Sequence, residues 1–217
     1  MKAGKNTKLV RSAFTAFFSA LICLGCFASR ALPDGIPITV QNMFAALSGL
    51  VLGGLQGAGA VGLFLVIGAA GVPVFSCCRG GFAVLQGATG GFLIGYFAGA
   101  LAGGLIIGSP FVRERKTAAF IVRLAAAACT AFVLPYLFGI PWFMAAREAE
   151  GNAQTLPQAF SAALWPFIPG DCIKILLSCI LASVLRPLAA RFLYPDDIKE
   201  AEELLHKIES RRGRRMH

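Results

Sequence analysis

The sequence predicts an all-α integral membrane protein, a bundle of six transmembrane helices. Of its 217 residues, 57% are hydrophobic and only 14% are charged, whereas soluble domains usually carry about 25% charged residues. Four long blocks contain no charged residue: 35–78, 80–112, 124–146 and 151–170. A helix needs roughly 20 apolar residues to cross the hydrocarbon core, so these blocks accommodate several spans.

Six spans fit the apolar pattern. They cover roughly residues 12–30, 38–55, 58–75, 91–109, 118–143 and 159–190. The last span includes a turn before Asp171, and Pro169-Gly170 opens the helix that follows. The first span has the basic start and apolar middle of a signal peptide. No A-x-A-like site followed by a soluble domain is found, so we interpret this span as retained.

The basic residues predict the orientation of the bundle. They cluster before the first span, around a mid-chain loop and after the last span, as the positive-inside rule requires of cytoplasmic segments. They are Lys2, Lys5, Lys8, Arg11, Arg113, Arg115, Lys116, Arg123, Arg186, Arg191, Arg211, Arg212, Arg214 and Arg215. Both termini are therefore predicted in the cytoplasm, with residues 1–194 as the membrane domain and 195–217 as a charged cytoplasmic tail. The same clustering of the +9 net charge argues against nucleic acid as a partner.

Glycine shapes two regions of the chain. Residues 76–91, SCCRGGFAVLQGATGG, are too apolar for a flexible loop and too glycine-rich for a stable helix. Irregular backbone near membrane depth persists only where protein buries it or where it lines a cavity, so we interpret this segment as a lid or pocket wall. In the next span Gly91, Gly95, Gly99 and Gly103 recur every fourth residue. They predict a smooth ridge that packs closely against another helix.

The cysteines and histidines predict neither a redox centre nor a metal site. The seven cysteines are Cys23, Cys26, Cys77, Cys78, Cys129, Cys172 and Cys179. Cys23 and Cys26 have C-x-x-C spacing, but no third ligand is near, so we interpret the cysteines as small buried hydrophobic residues. The two histidines, His206 and His217, lie in the tail, so no metal is expected.

A few polar residues are not explained by membrane topology. Asp171 and Lys174 lie three positions apart on one face of the last apolar helix, in PGDCIKILL. Arg79 lies in the glycine-rich segment, and Gln41 and Asn42 begin the second span. Ionisable groups inside a bundle are costly and usually serve a pathway or a site. Together these residues predict a small-ligand pocket near one membrane face; the alternative is a structural Asp171–Lys174 ion pair.

No catalytic constellation accompanies this group. The sequence contains no G-x-S-x-G, no H-E-x-x-H and no G-x-x-x-x-G-K-[ST] motif. The chain is therefore not expected to be an enzyme or to hydrolyse ATP through a P-loop. If it moves a solute uphill, another subunit must supply the energy.

Four segments resemble the BioY family in order and spacing. They are PITVQNMFAALSGLVLG (37–53), FLVIGAAGVPVFSCCRGG (64–81), GATGGFLIGYFAGAL (87–101) and WPFIPGDCIKILL (165–177). The resemblance covers roughly residues 10–190. The SCCRGG lid of this chain is less polar than the lid of some family members. It implies a biotin-specific S component of an energy-coupling-factor (ECF) transporter in the cell membrane. Its implied partners are a transmembrane coupling subunit and two cytoplasmic ATPases, with biotin as transported substrate rather than cofactor.

The resemblance also implies roles for the polar residues. Biotin carries a urea with two N–H donors and a carbonyl, and a valerate carboxylate that a cation can meet. Asp171 is assigned to the urea and Lys174 to a ligand oxygen. The partner of the carboxylate is left open between Lys174 and Arg79. Gln41 and Thr39 are the expected amide and hydroxyl contacts.

Apolar and partner contacts follow from the same resemblance. Phe75, Phe82 and Tyr96 are expected to wall the ring system. Ala16 and Ala20, in FTAFFSAL, form an A-x-x-x-A pair that permits close helix docking, and the resemblance implies that it contacts the coupling subunit.

Three alternatives stay open on the sequence alone. The first is an S component for a different vitamin. The second is a small integral-membrane enzyme that uses Asp171 as an acid or base. The third is a membrane scaffold that binds no ligand.

Overall fold

The computed structural model describes residues 3–30, 36–111 and 117–194, and within them it contains helices and turns but no extended strand. The helices are α1 (Ala3–Leu24), α2 (Gln41–Leu52), α3 (Gly54–Ala69), α4 (Phe82–Gln86), α5 (Gly90–Ile107), α6 (Ala118–Ala149), α7 (Leu156–Ala163) and α8 (Ile168–Leu193). Two 3₁₀ turns, Gly25–Ala28 and Ser76–Cys78, follow α1 and α3. The predicted all-α class is confirmed.

Helix length by itself identifies four of the six predicted spans. Within the described ranges, the segments long and apolar enough to cross a membrane are Thr7–Ala28, Gly90–Ile107, Ala118–Ala149 and Ile168–Leu193. Helices α2 and α3 are also apolar but have only 12 and 16 residues. At 1.5 Å per residue they reach about 18 and 24 Å, short of a hydrocarbon core of roughly 30 Å. The predicted count of six spans is therefore not established by the helices themselves.

The short helix α2 lies at the centre of the bundle. It packs against α1, α3, α5, α6 and α8, and nine of its 12 residues are buried. Its N-terminal residues, Gln41 and Asn42, therefore project among several other helices. This central position brings polar groups of α2 close to distant parts of the chain.

The predicted glycine ridge on α5 is confirmed as the surface that packs against α6. A Cβ atom added at Gly95 would lie 2.5 Å from Pro135 Cα, and one at Gly99 would lie 2.5 Å from the Ala131 carbonyl oxygen. Gly91 and Gly103 approach α6 as closely. The α5–α6 contact is the most extensive in the bundle, because glycine lets the two backbones meet.

The predicted turn before Asp171 is confirmed and separates two helices. The turn at residues 164–167 divides α7 from α8. A capping box between Thr155 and Gln158 starts α7, and Pro169 occupies the first turn of α8. Proline is tolerated there because the N–H groups of a first helical turn have no partner within the helix. The turn places Asp171 and Lys174 at the start of α8.

Arg186 and Arg191 lie within α8, which corrects the prediction that they follow the last span. The Arg186 side chain is 1% exposed, and its guanidinium donates hydrogen bonds to the carbonyl oxygens of Leu50, Gly108 (3.1 Å) and Ser109 (3.0 Å). It thereby satisfies carbonyl groups at the C-terminal ends of α2 and α5. The predicted tail (195–217) and the loop residues Arg113, Arg115 and Lys116 lie outside the described part of the chain.

Most of the cysteines are less buried than predicted. Cys26 is buried, but Cys23, Cys77 and Cys179 are only partly buried, and Cys78, Cys129 and Cys172 are exposed. Cys129 and Cys172 lie on the outer surfaces of α6 and α8, where the surroundings of a membrane bundle are apolar. Exposure in this bundle is therefore compatible with the apolar character that suggested burial.

Candidate functional site

A cavity lies at the end of the bundle formed by the N-termini of α2, α5 and α8. Its walls come from these helices, from the segment before α2, from α4 and α6, and from the end of α7 and the turn after it. Residues 75–79, which we call the pocket loop, complete the walls. The aromatic side chains in the walls are Phe75, Phe92, Tyr96, Phe132, Tyr136 and Phe167. The cavity encloses about 620 Å³ of empty space, including its opening. It is a narrow slot with apolar walls and a few polar groups, a composition typical of small-ligand sites.

Asp171 and Lys174 form a buried ion pair beside this slot. Lys174 Nζ lies 3.0 Å from Asp171 Oδ1, and the two side chains are 13% and 7% exposed. Tyr136 donates its hydroxyl to Asp171 Oδ2 at 2.5 Å, and Asn42 Nδ2 donates to Oδ1 at 3.0 Å. Both carboxylate oxygens thus have partners from other helices. Such hydrogen bonds offset the cost of removing a charge from water.

The Lys174 ammonium group is also fully hydrogen-bonded. Besides Asp171 it donates to the Thr39 carbonyl oxygen at 2.8 Å and to Asn42 Oδ1 at 3.1 Å. These bonds use all three ammonium protons. Lys174 is among the residues that line the slot, whereas Asp171 lies behind them. The ion pair therefore forms a rigid wall in which only one member reaches the cavity.

Gln41 anchors the pocket loop rather than lining the slot. Its side chain is 0% exposed, and Nε2 donates to the carbonyl oxygens of Ile22 (2.9 Å) and Val74 (2.8 Å). Its Oε1 accepts from the Ser76 hydroxyl at 2.9 Å. Gln41 thus ties the end of α1 and the pocket loop to α2. Thr39 lines the slot, and its hydroxyl accepts from the Gln41 backbone N–H.

The pocket loop is a tight turn closed by its own backbone. Phe75 N–H donates to the Arg79 carbonyl at 2.8 Å, and Arg79 N–H donates to the Phe75 carbonyl at 3.2 Å. Phe75 is buried against Phe64, with ring centroids 5.3 Å apart in an edge-to-face arrangement. The Arg79 side chain is exposed at the cavity, where Nε donates to the Ser76 carbonyl at 3.3 Å. Among the described residues Arg79 has no carboxylate partner.

The three predicted aromatic contacts lie in different surroundings. Phe75 and Tyr96 line the slot, and the Tyr96 hydroxyl has no hydrogen-bond partner in the described ranges. Phe82 is 62% exposed and lies outside the cavity wall. It begins α4, a five-residue helix within the segment that we predicted to be irregular. The segment nevertheless forms a pocket wall, as predicted, through Ser76, Arg79, Val84 and Thr89.

Several wall residues were not selected from the sequence. Tyr136 contacts both the slot and Asp171, and Phe92 packs on it edge to face with centroids 6.1 Å apart. Phe167, in the turn before α8, closes another side. Tyr136 follows Pro135 in a block without charged residues, 124–146. Because a buried tyrosine hydroxyl needs a polar partner, this position was the signal in the sequence for a polar contact.

Ala16 and Ala20 lie outside this site. Both are exposed on α1 and neither lines the cavity. The surface around them presents Phe17 and Leu24, which are 58% and 59% exposed. The A-x-x-x-A pair therefore faces the outside of the bundle.

Fold and site together define a helical membrane protein with a small-ligand pocket at one end of its bundle. The BioY family model matches residues 2–191. The biotin transporter BioY of Rhodobacter capsulatus is 33% identical over 172 residues, covering 78% of this chain and 88% of that protein. The biotin transporter BioY of Thermotoga maritima is also 33% identical, covering 79% and 92%. The chain belongs to the BioY family.

A solved structure supports the same assignment at the level of the fold. It is described as the S-component for biotin from an ECF-type ABC transporter. Its TM-score is 0.68 at 26% identity, with 86% of this chain and 94% of that chain covered. The resemblance inferred from the sequence motifs is confirmed.

Proposed function

We propose that this protein is the biotin-binding S component of an ECF-type transporter. The observation that carries the proposal is the narrow aromatic slot beside the Asp171–Lys174 network. Its apolar walls match the bicyclic body of biotin, and its polar groups match a urea and a carboxylate. The relatives are named as transporters, so the protein is a transporter subunit rather than an enzyme.

The free hydrogen-bonding capacity of the pocket suggests how biotin is held. Asp171 and Lys174 already satisfy each other and their neighbours, so they act first as a preorganised wall. Among the described residues, Asp171 Oδ2 accepts only from Tyr136 and so retains capacity for a urea N–H, but Asp171 lies behind the residues that line the slot. Tyr96 lines the slot, and its hydroxyl is available to the urea directly. Arg79, exposed and without a carboxylate partner in the described chain, is the stronger candidate for the valerate carboxylate.

We place the pocket at the outer face of the membrane, with both termini in the cytoplasm. This arrangement requires α2 and α3 to count as spans despite their length, giving six in total. The exposed Ala16 and Ala20 then lie on a lipid-facing surface of α1, where a coupling subunit can dock closely. Two cytoplasmic ATPases would energise release of biotin to the inside.

Ligand-dependent stability tests the proposed function. A ligand at a hundredfold excess over Kd stabilises the folded state by about 2.7 kcal/mol. Biotin should therefore raise the melting temperature of the purified protein, while thiamine and riboflavin should not. An equal shift with thiamine would indicate a different vitamin, and no shift with any of the three would contradict the proposal.

A further inference from the structure

Two thiols from distant parts of the chain meet beside the pocket. Cys26 Sγ and Cys78 Sγ lie 3.8 Å apart, although 52 positions separate them in the sequence. Cys26 belongs to the 3₁₀ turn after α1 and is 3% exposed. Cys78 is exposed and lies in the pocket loop. The sulfur atoms of a disulfide are about 2.05 Å apart, so a displacement of less than about 2 Å would join these two.

The backbone of the pocket loop holds Cys77 and Cys78, which form the tip of the loop, in a fixed conformation. Cys77 and Cys78 have φ angles of 59° and 54°, in the left-handed region that non-glycine residues rarely adopt. Such a conformation persists only where its surroundings enforce it. Here the paired backbone of Phe75 and Arg79 and the hydrogen bond from Ser76 to α2 provide that enforcement. The 3₁₀ turn that contains Cys78 packs directly against the one that contains Cys26.

The same loop supplies part of the ligand pocket. Phe75, Ser76 and Arg79 line the slot, and each lies within three positions of Cys78. A disulfide at Cys78 would therefore restrain the part of the pocket wall that a ligand passes when it enters or leaves. The neighbouring Cys77 offers a matched control, because it has a similar positive φ angle but no comparable contact with Cys26 among the described residues.

We propose that Cys26 and Cys78 form a reversible disulfide that locks the pocket loop against the end of α1 and slows ligand exchange. The oxidant is a disulfide, such as oxidised glutathione or the disulfide of an oxidoreductase. The exposed Cys78 thiolate attacks the oxidant's S–S bond and releases one thiol. Cys26 then loses its proton and attacks the Cys78 sulfur of the mixed disulfide, which releases the second thiol. The two cysteines lose two protons and two electrons in total, and the oxidant's disulfide becomes two thiols.

Bond formation is tested on the purified full chain, independently of any ligand. The protein is equilibrated with oxidised glutathione or with dithiothreitol, its free thiols are alkylated, and its peptides are mapped by mass spectrometry without reduction. We expect a Cys26–Cys78 cross-link in the oxidised sample that dithiothreitol removes. The cross-link should persist in Cys77→Ser and be absent from Cys26→Ser and Cys78→Ser. Absence of this cross-link from the oxidised wild type, or an equal yield of Cys26–Cys77, would overturn the proposal.

The effect on exchange rests on the proposed function and is measured separately. Dissociation of radiolabelled biotin is followed in oxidised and reduced protein, with Cys78→Ser treated in the same way. We expect dissociation from the oxidised wild type to be slower by about tenfold, equivalent to about 1.4 kcal/mol in the opening barrier, and no redox effect in Cys78→Ser. An unchanged or faster rate in fully cross-linked protein would overturn the locking role. A reduced protein that binds no biotin would instead contradict the proposed function and leave the cross-linking result intact.

Discussion

The Tyr136 hydroxyl donates a 2.5 Å hydrogen bond to Asp171 Oδ2, joining α6 to α8 at the wall of the pocket. The partner oxygen, Oδ1, accepts from Asn42 of α2 and from Lys174. One carboxylate therefore connects three helices that surround the slot. Removing the Asp171 carboxylate, or removing its hydrogen-bond donors, should affect both the stability of the fold and the shape of the binding site.

Replacement of Tyr136 by phenylalanine tests this connection with little change in shape. The substitution leaves Asp171 Oδ2 without its donor, and a hydrogen bond to a charged group contributes about 1.5–3 kcal/mol. We expect the free energy of unfolding to fall by that amount. We also expect calorimetry to show weaker binding of biotin. Tyr194→Phe is the control, because Tyr194 contacts Arg11 at the opposite end of the bundle. Equal effects of the two substitutions would contradict a specific role for Tyr136.

Single and double substitutions of the ion pair separate a ligand site from a structural contact. Asp171→Asn or Lys174→Met alone strands a buried charge, at a cost of roughly 3–5 kcal/mol. The double variant leaves no charge, so its melting temperature should recover toward that of the wild type. Biotin affinity should stay about ten- to more than a hundredfold lower, since polar groups of the pocket are gone. A stable double variant with wild-type affinity would show that the pair only holds helices together.

The partner of the biotin carboxylate can be identified with a methyl ester. Arg79→Gln should weaken binding of biotin by about three- to tenfold, as expected for a partly exposed cation. It should leave the affinity for biotin methyl ester nearly unchanged, because the ester has no charge to meet. Arg30→Gln, a substitution of another exposed arginine, should affect neither ligand. If Lys174→Met rather than Arg79→Gln shows this selective loss, Lys174 meets the carboxylate.

The docking surface on α1 predicts a separation of binding from transport. Ala16→Leu and Ala20→Leu should retain wild-type biotin affinity, because both side chains are exposed outside the pocket. They should impair biotin uptake in cells that supply the coupling subunit, since bulky side chains hold helices apart. Ala125→Leu, at an exposed position of α6, is the control. Normal uptake by both α1 variants would show that this surface does not dock the partner.

Replacing glycine by alanine should have different effects on the α5 ridge and in the first turn of α8. Gly95→Ala would place a Cβ atom 2.5 Å from the Pro135 backbone, so we expect it to lower the free energy of unfolding by about 1–3 kcal/mol. Gly170→Ala meets nothing within 4 Å and should be neutral or stabilising by up to about 1 kcal/mol. Thermal unfolding in the same detergent compares the two. If the two variants have equal free energies of unfolding, the α5–α6 contact accommodates the added methyl group at residue 95 and does not require glycine there.

The sequence by itself determined the class of protein, the ridge on α5 and the turn before α8. These features depend on local causes. An apolar segment in a membrane satisfies its backbone by forming a helix, and residues spaced by four share one face of it. Pro169 restricts the chain within one helical turn. Four segments, the last of which contains Asp171 and Lys174, also identified the family, because they occur in the order and spacing of BioY proteins.

Only the tertiary structure decided what each polar group contacts. The hydrogen bonds of Gln41 to the end of α1 and to the pocket loop depend on the rotation and depth of α2, which no periodicity specifies. The same holds for Tyr136 beside Asp171 and for Cys78 beside Cys26. In an apolar bundle, a buried polar group has few partners available, and the helix packing selects among them. That selection gives Gln41 the hydrogen bonds that anchor the pocket loop beside the slot.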